Sequence, residues 1–157
     1  PDTNFDYLAW YITKTLLEKN KGIKIHMTKS PLMLVKRGNF VFGLEHGDPC
    51  QRYNGVPYYS VVRRKWKLAD MHKMSIDYLL LGHFHDPSSL SSSSIQLNGS
   101  IVGGADLSVN QMAESGLPSQ KMWYFSEKYG INRQSNLILD SRPVLKPNSD
   151  GILTPSF

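Results

Sequence analysis

The chain has 157 residues, 40% hydrophobic and 20% charged, a globular composition that excludes an intrinsically disordered protein and fits one domain with a sizeable core. Its net charge of +5 and pI near 9.3 leave an anionic partner open, while the apolar runs are far too short for a membrane span and no secretory signal pattern is present. A single cysteine, Cys50, excludes an internal disulfide framework and fits a reducing cytoplasm.

The chain opens at Pro1 and enters helix-like sequence almost at once, so it reads as a piece of something longer or as a processed product. Asp2 or Thr3 can cap a helix over about residues 4–19, where Phe5, Leu8, Ala9, Ile12, Leu16 and Leu17 form a helical stripe that Asn20-Lys21-Gly22 closes. Ile23 to Met27 alternates like a half-buried strand, and Pro31 to Lys36 reads as another. Lys36-Arg37-Gly38-Asn39 is a hairpin turn into the strand Phe40–Leu44. Residues 47–60 form a loop rich in Gly, Pro, Asn and Tyr. A basic helix follows over about 60–74, with Val61, Val62, Trp66, Leu68, Ala69 and Met71 as its apolar surface. Asp77 to Leu81 shows almost no alternation, the pattern of a central strand buried on both faces. Ser88 to Ser94 reads as a flexible loop, and Ile95 to Leu97 as a strand. Residues 107–120 are ambiguous between helix and loop. Lys121–Lys128 and Asn136–Leu139 form a last strand pair around Tyr129 to Asn132, and 141–157 is a tail.

Two apolar strands end in metal-ligand residue types: Leu44-Glu45-His46-Gly47-Asp48, and Leu81-Gly82-His83-Phe84-His85-Asp86. In extended chain, residues two apart point the same way, so His83 and His85 can face one site, and Gly82 removes a side chain where backbone passes close to a ligand. Imidazoles beside carboxylates suit a divalent transition metal, and His46 is the natural third ligand. Much depends on whether the two strand ends meet.

These two motifs resemble the C-terminal half of the calcineurin-like metallophosphoesterases, and the stretch from about Asn39 to Asp140 is similar to phage-type members related to the Mre11/SbcD DNA exonucleases. Asn98-Gly-Ser-Ile-Val-Gly-Gly and Pro118-Ser-Gln-Lys contribute to that likeness. The resemblance implies an α/β (α+β) fold, part of a four-layer sandwich with mixed sheets flanked by helices, with residues 1–140 as the second half of the domain. It also implies two divalent cations that clamp a phosphate ester, manganese first, with iron, zinc or magnesium as alternatives. Carried over by position, His46 and His83 bind one cation and His85 the other, while Asp48 and Asp86 orient the imidazoles.

The family's three earlier motifs, including the aspartate that bridges the metals, have no counterpart in a suitable place. Asp70-Met71-His72 matches one as a string, but inside a helix those side chains diverge by about 200°. The expectation is therefore a metal-dependent phosphoesterase of DNA, phage-encoded and acting in the host cytoplasm, that needs the missing N-terminal half of its domain and hydrolyses little alone. The alternatives are an inactive module of the same fold that binds nucleic acid or a partner protein, and a purely structural metal site. Arg63, Arg64, Lys65 and Lys67 are the candidate nucleic-acid contacts, against the plainer reading of a solvated helix face. Tyr53, Tyr58 and Tyr59 can stack on bases or anchor their loop.

Overall fold

The computed structural model describes residues 5–51, 57–102 and 117–139. Its elements in chain order are α1 (Phe5–Leu17), β1 (Leu32–Arg37), β2 (Phe40–Glu45), α2 (Tyr58–His72), β3 (Tyr78–Leu81), β4 (Ser88–Leu90), β5 (Ile95–Leu97), β6 (Ser119–Ser126) and β7 (Gly130–Ile138). This is an α+β fold, a mixed sheet flanked by helices. The sheet has five strands in the order β1-β2-β3-β5-β4, and β6 and β7 form a separate two-stranded sheet.

The strand directions place the chemistry. β1 and β2 are an antiparallel hairpin turned at Gly38, whose φ is 55°. β2 then crosses through α2 to β3, which lies parallel beside it with Glu45 opposite Leu81. β5 continues the parallel set and β4 closes it antiparallel. Two neighbouring parallel strands carry their C-terminal ends to the same edge, where ligands gather in open α/β sheets.

The core lies between α2 and the central strands: Val61 and Leu68 of the helix pack with Leu32, Ile76, Leu79, Leu81, Ile95 and Leu97. α2 is held there by its 3.6-residue stripe and ends at Lys73, which takes the left-handed conformation that caps a helix. Among the described residues α1 supplies nothing to the buried core; Phe5, Leu8, Trp10, Tyr11, Ile12 and Leu16 are exposed.

Several sequence expectations are corrected. Ile23–Met27 is not a strand; Ile25 and Met27 instead wall an open groove with Tyr7, Trp10, Met33 and Leu44, beside a sheet whose order ends at β1. Ser88–Ser94 is not a loose loop. Ser88–Leu90 is the edge strand β4, and Ser91, Ser92 and Ser93 all have positive φ in a tight turn closed by a hydrogen bond from the Ser94 N–H to the Ser91 carbonyl (3.1 Å). β7 starts at Gly130, six residues before the expected Asn136, after a turn at 127–129, because Tyr78 Oη accepts the Ile131 N–H and anchors the strand's start. β3 keeps some alternation, with Leu79 and Leu81 buried and Tyr78 and Leu80 half-buried. The expected tail at 141–157, Tyr53 and residues 107–116 lie outside the described residues.

Candidate metal centre at two parallel strand ends

The strand ends meet. His46 follows the last residue of β2 and His83 lies two past the end of β3, and His83 Nδ1 stands 3.3 Å from His46 Nε2. The rings are nearly perpendicular, at 76° with centroids 5.2 Å apart. Metal–imidazole bonds of about 2.0–2.1 Å at angles between octahedral and tetrahedral put two ligating nitrogens about 2.9–3.4 Å apart. The observed separation falls inside that interval, so this donor pair fits one divalent cation. With a proton between the rings the same geometry is an N–H···N hydrogen bond.

The local backbone differs from the extended turn expected. β3 stops at Leu81, and both His83 (φ 56°) and His85 (φ 58°) take the left-handed conformation. The Phe84 N–H donates to the Gly82 carbonyl at 2.6 Å, and the Phe84 side chain, between the two histidines in sequence, is buried in the core. Left-handed φ at non-glycine residues costs of order 1–3 kcal/mol each and persists only where the surroundings enforce it, which gathers such residues at functional sites. Burying Phe84 is one such constraint.

The turn therefore aims His83 at His46, while His85 is exposed and outside that contact. Among the described residues no three His, Cys, Asp or Glu side chains converge closely enough to hold a metal. Gly82 is not required for space: a Cβ there would meet the His46 carbonyl oxygen at 3.5 Å and His46 Nδ1 at 3.6 Å, ordinary contacts. Gly47 is required, because its φ of 107° is one that side-chain-bearing residues avoid.

Beneath the histidines lies an ion pair that the sequence reading missed. Glu45 is buried and takes Arg64 of α2 in a two-pronged contact: Arg64 Nε donates to Oε2 at 2.9 Å and Nη2 to Oε1. That hydrogen bonding raises the Arg64 pKa further. The missed signal was a carboxylate at an inward position of an apolar strand, which demands a buried partner. Cys50 packs in the same corner, its pKa raised first by burial and then by Glu45 and Asp48, against the opposing pull of Arg64. Asp48 thus stands within electrostatic reach of Arg64 and Cys50. Asp86 faces Lys121, a buried lysine whose pKa burial lowers despite that carboxylate.

The four candidate basic residues divide, with Lys65 on a different face of α2 from Arg63, Arg64 and Lys67. Arg64 is committed to Glu45, and Lys65 donates to the Asp77 carbonyl oxygen at 2.8 Å, its pKa lowered by burial. Arg63 and Lys67 are exposed. A second polar centre joins β5 and β4 to the hairpin. The fully buried Gln96 accepts from Trp123 Nε1 (3.1 Å) and from Ser89 Oγ (2.7 Å), and donates to the Ser93 carbonyl (2.8 Å). Asn98 bridges to Gln120 and to the Lys121 N–H.

No protein-family profile matches the chain, and no curated protein matches it in sequence. Two solved structures are similar in fold, both of Vps29 from Entamoeba histolytica. One is a single mutant of that protein, at 16% identity and a TM-score of 0.50, over 74% of this chain and 65% of that one. The other is the wild type complexed with zinc, at 16% identity and a TM-score of 0.48, over 73% and 64%. The chain thus spans just under two thirds of the Vps29 chains it matches. The match to the single mutant is a likeness of fold alone, in keeping with the mixed sheet flanked by helices seen in this chain. No helix among the described residues is long and apolar enough to cross a membrane.

Proposed function

We propose that residues 1–140 are the second half of a calcineurin-like metallophosphoesterase domain that works in a reducing cytoplasm and, with its upstream half, hydrolyses phosphodiester bonds of DNA. His46 and His83 hold one divalent cation and His85 contributes to a second. Manganese leads as the ion, with zinc, iron or magnesium as substitutes. The observation that carries the reading is the 3.3 Å approach of His83 Nδ1 to His46 Nε2 at the ends of adjoining parallel strands.

A divalent cation at that point supplies Lewis acidity and a water nucleophile at neutral pH. The chain's own residues bind and orient. Glu45 and Arg64 fix the end of β2 against α2, and the left-handed turn holds His83 beside His46. With two imidazoles in contact and His85 apart, this chain alone binds metal weakly and turns over little; the remaining ligands come from the other half of the domain.

The test is a zinc or manganese titration of the full chain, followed through the imidazole NMR signals. His46→Ala and His83→Ala should each weaken metal binding at least tenfold, and both, with His85→Ala, should abolish phosphodiesterase activity in the intact parent protein. Unchanged metal affinity in the first two variants sinks the reading.

A second reading keeps the fold without catalysis, as a module that binds nucleic acid or a partner protein. The exposed apolar surface of α1 and the exposed Trp66 of α2 favour it. Its binding would be indifferent to chelators.

A further inference from the structure

Residues 60, 63, 64 and 67 share one face of α2, the i, i+3, i+4, i+7 spacing of a single helical stripe. There Ser60, Arg63, Arg64 and Lys67 line a cavity of about 310 Å³, whose opposite wall is Pro49 and Gln51 from the chain just after His46. That is the volume of roughly ten liquid waters, ample for a phosphate group with its hydration. The floor is fixed, because Arg64 is tied to Glu45, the residue immediately before His46. The opposite wall is fixed too, because Ser60 Oγ donates to the Gln51 carbonyl.

The charge is unbalanced at the cavity. Glu45 and, at longer range, Asp48 answer Arg64, whereas among the described residues no hydrogen bond or ion pair takes up Arg63 or Lys67. The first turn of α2 carries no acidic residue and no side-chain cap, so the positive end of the helix dipole is unopposed at the Ser60 end of the cavity. Lys65 stays out of it, lining a different recess with Val62 and Trp66. Arg63, Lys67 and Gln51, lining the cavity from its two walls, offer it a guanidinium, an ammonium and an amide. Among the described residues the lining holds no acidic side chain, and this donor set suits an anion with several acceptor oxygens such as phosphate.

We infer that this cavity is a phosphate-binding subsite, formed by Arg63, Lys67 and Gln51 on the Arg64 floor, beside the His46–His83 contact. Its place in catalysis, holding a phosphate group of the substrate next to the metal centre, rests on the proposed phosphoesterase reading; its affinity for phosphate does not.

The experiment is an amide-resolved NMR titration of the full chain with inorganic phosphate in chelator. Wild type is compared with Arg63→Gln/Lys67→Gln, and with Lys36→Gln/Arg37→Gln as a control that removes the same charge elsewhere. Shifts should centre on residues 60–67 of α2 and on Gln51, and the cavity variant should bind at least about fivefold more weakly, as expected for two exposed charge contacts. The control should stay within twofold of wild type. Equal weakening in the two variants, unchanged affinity in the cavity variant, or shifts spread over the whole basic surface would overturn the assignment. Zinc titration of the same variants separates the two ideas: the cavity variant should hold zinc as wild type does, so the failure of either site leaves the other to stand on its own measurement.

Discussion

Removing the Arg64 side chain tests how the end of β2 is held. The Glu45 side chain is 1% exposed and the Arg64 side chain 24%, so the two partners are unequal. Arg64→Met strands a carboxylate with no route to water, a loss of about 3–5 kcal/mol for buried pairs broken on one side. Because the Arg64 half of the pair is partly exposed rather than buried, the loss lies at the lower end of that range, about 3 kcal/mol. Glu45→Gln strands a guanidinium that can swing toward solvent, and costs about 1–2 kcal/mol. At about 2–4 °C per kcal/mol for a chain of this size, Arg64→Met should lower the melting temperature by about 6–12 °C and Glu45→Gln by about half of that or less. The double variant should recover about 1.5 kcal/mol relative to the sum of the singles. Urea unfolding of the two singles and the double variant at pH 7 checks this. Equal losses in the two singles, or a loss below about 1 kcal/mol in Arg64→Met, would refute the claim that this buried contact fixes the strand end.

Other outcomes follow from the same structure. The lowered pKa of Lys121 means that the unfolded chain binds more protons just below the ordinary lysine range, so stability should rise with pH through that alkaline window. That rise should be shallower in Lys121→Met, with Lys65 supplying the remainder; identical slopes would contradict it. Cys50 is buried and its thiol is pushed toward the protonated form, so a thiol-specific reagent at neutral pH should react at least about tenfold more slowly with the folded chain than in urea. Gly99→Ala would put a Cβ 2.4 Å from the Ser119 carbonyl oxygen, a backbone atom held in β6. It should cost about 2–3 kcal/mol by urea unfolding, and a neutral result would mean that Gly99 and β6 are not so close.

Where one interaction dominates locally, the fold was legible in the chain. The apolar runs of β2 and β3 and the helical stripe of α2 each bury one continuous surface, and both histidines at the strand ends were found because the runs stop there. The parallel adjacency that brings them together was not legible: register and neighbour choice are decided by packing across the crossover. Ile23–Met27 shows why alternation alone misleads, since Ile25 and Met27 wall an open groove and no strand among the described residues pairs with them. The Ser88–Leu90 edge strand was hidden for the opposite reason. Its composition is that of a loop, and its pairing comes from β5 alongside and from Gln96 beneath. Lys121 gave no signal of burial because its partner Ser89 lies 32 residues away, in another sheet, and Gln96 gave none because Trp123, 27 residues on, also comes from another sheet.

The hairpin β6–β7 is fastened at its two ends by different forces. At one end Phe125 packs edge-on against Phe40 and Phe42, with Tyr78 stacked on Phe42. At the other, Gln120, Lys121 and Trp123 are joined by hydrogen bonds to Asn98, Ser89 and Gln96. Exposing the aromatic end raises heat capacity, whereas exposing the polar end lowers it. Cooling therefore weakens the aromatic fastening while warming works against the hydrogen-bonded one. The two fastenings of the hairpin thus answer temperature differently, and the polar one is the one that abuts β4 and β5.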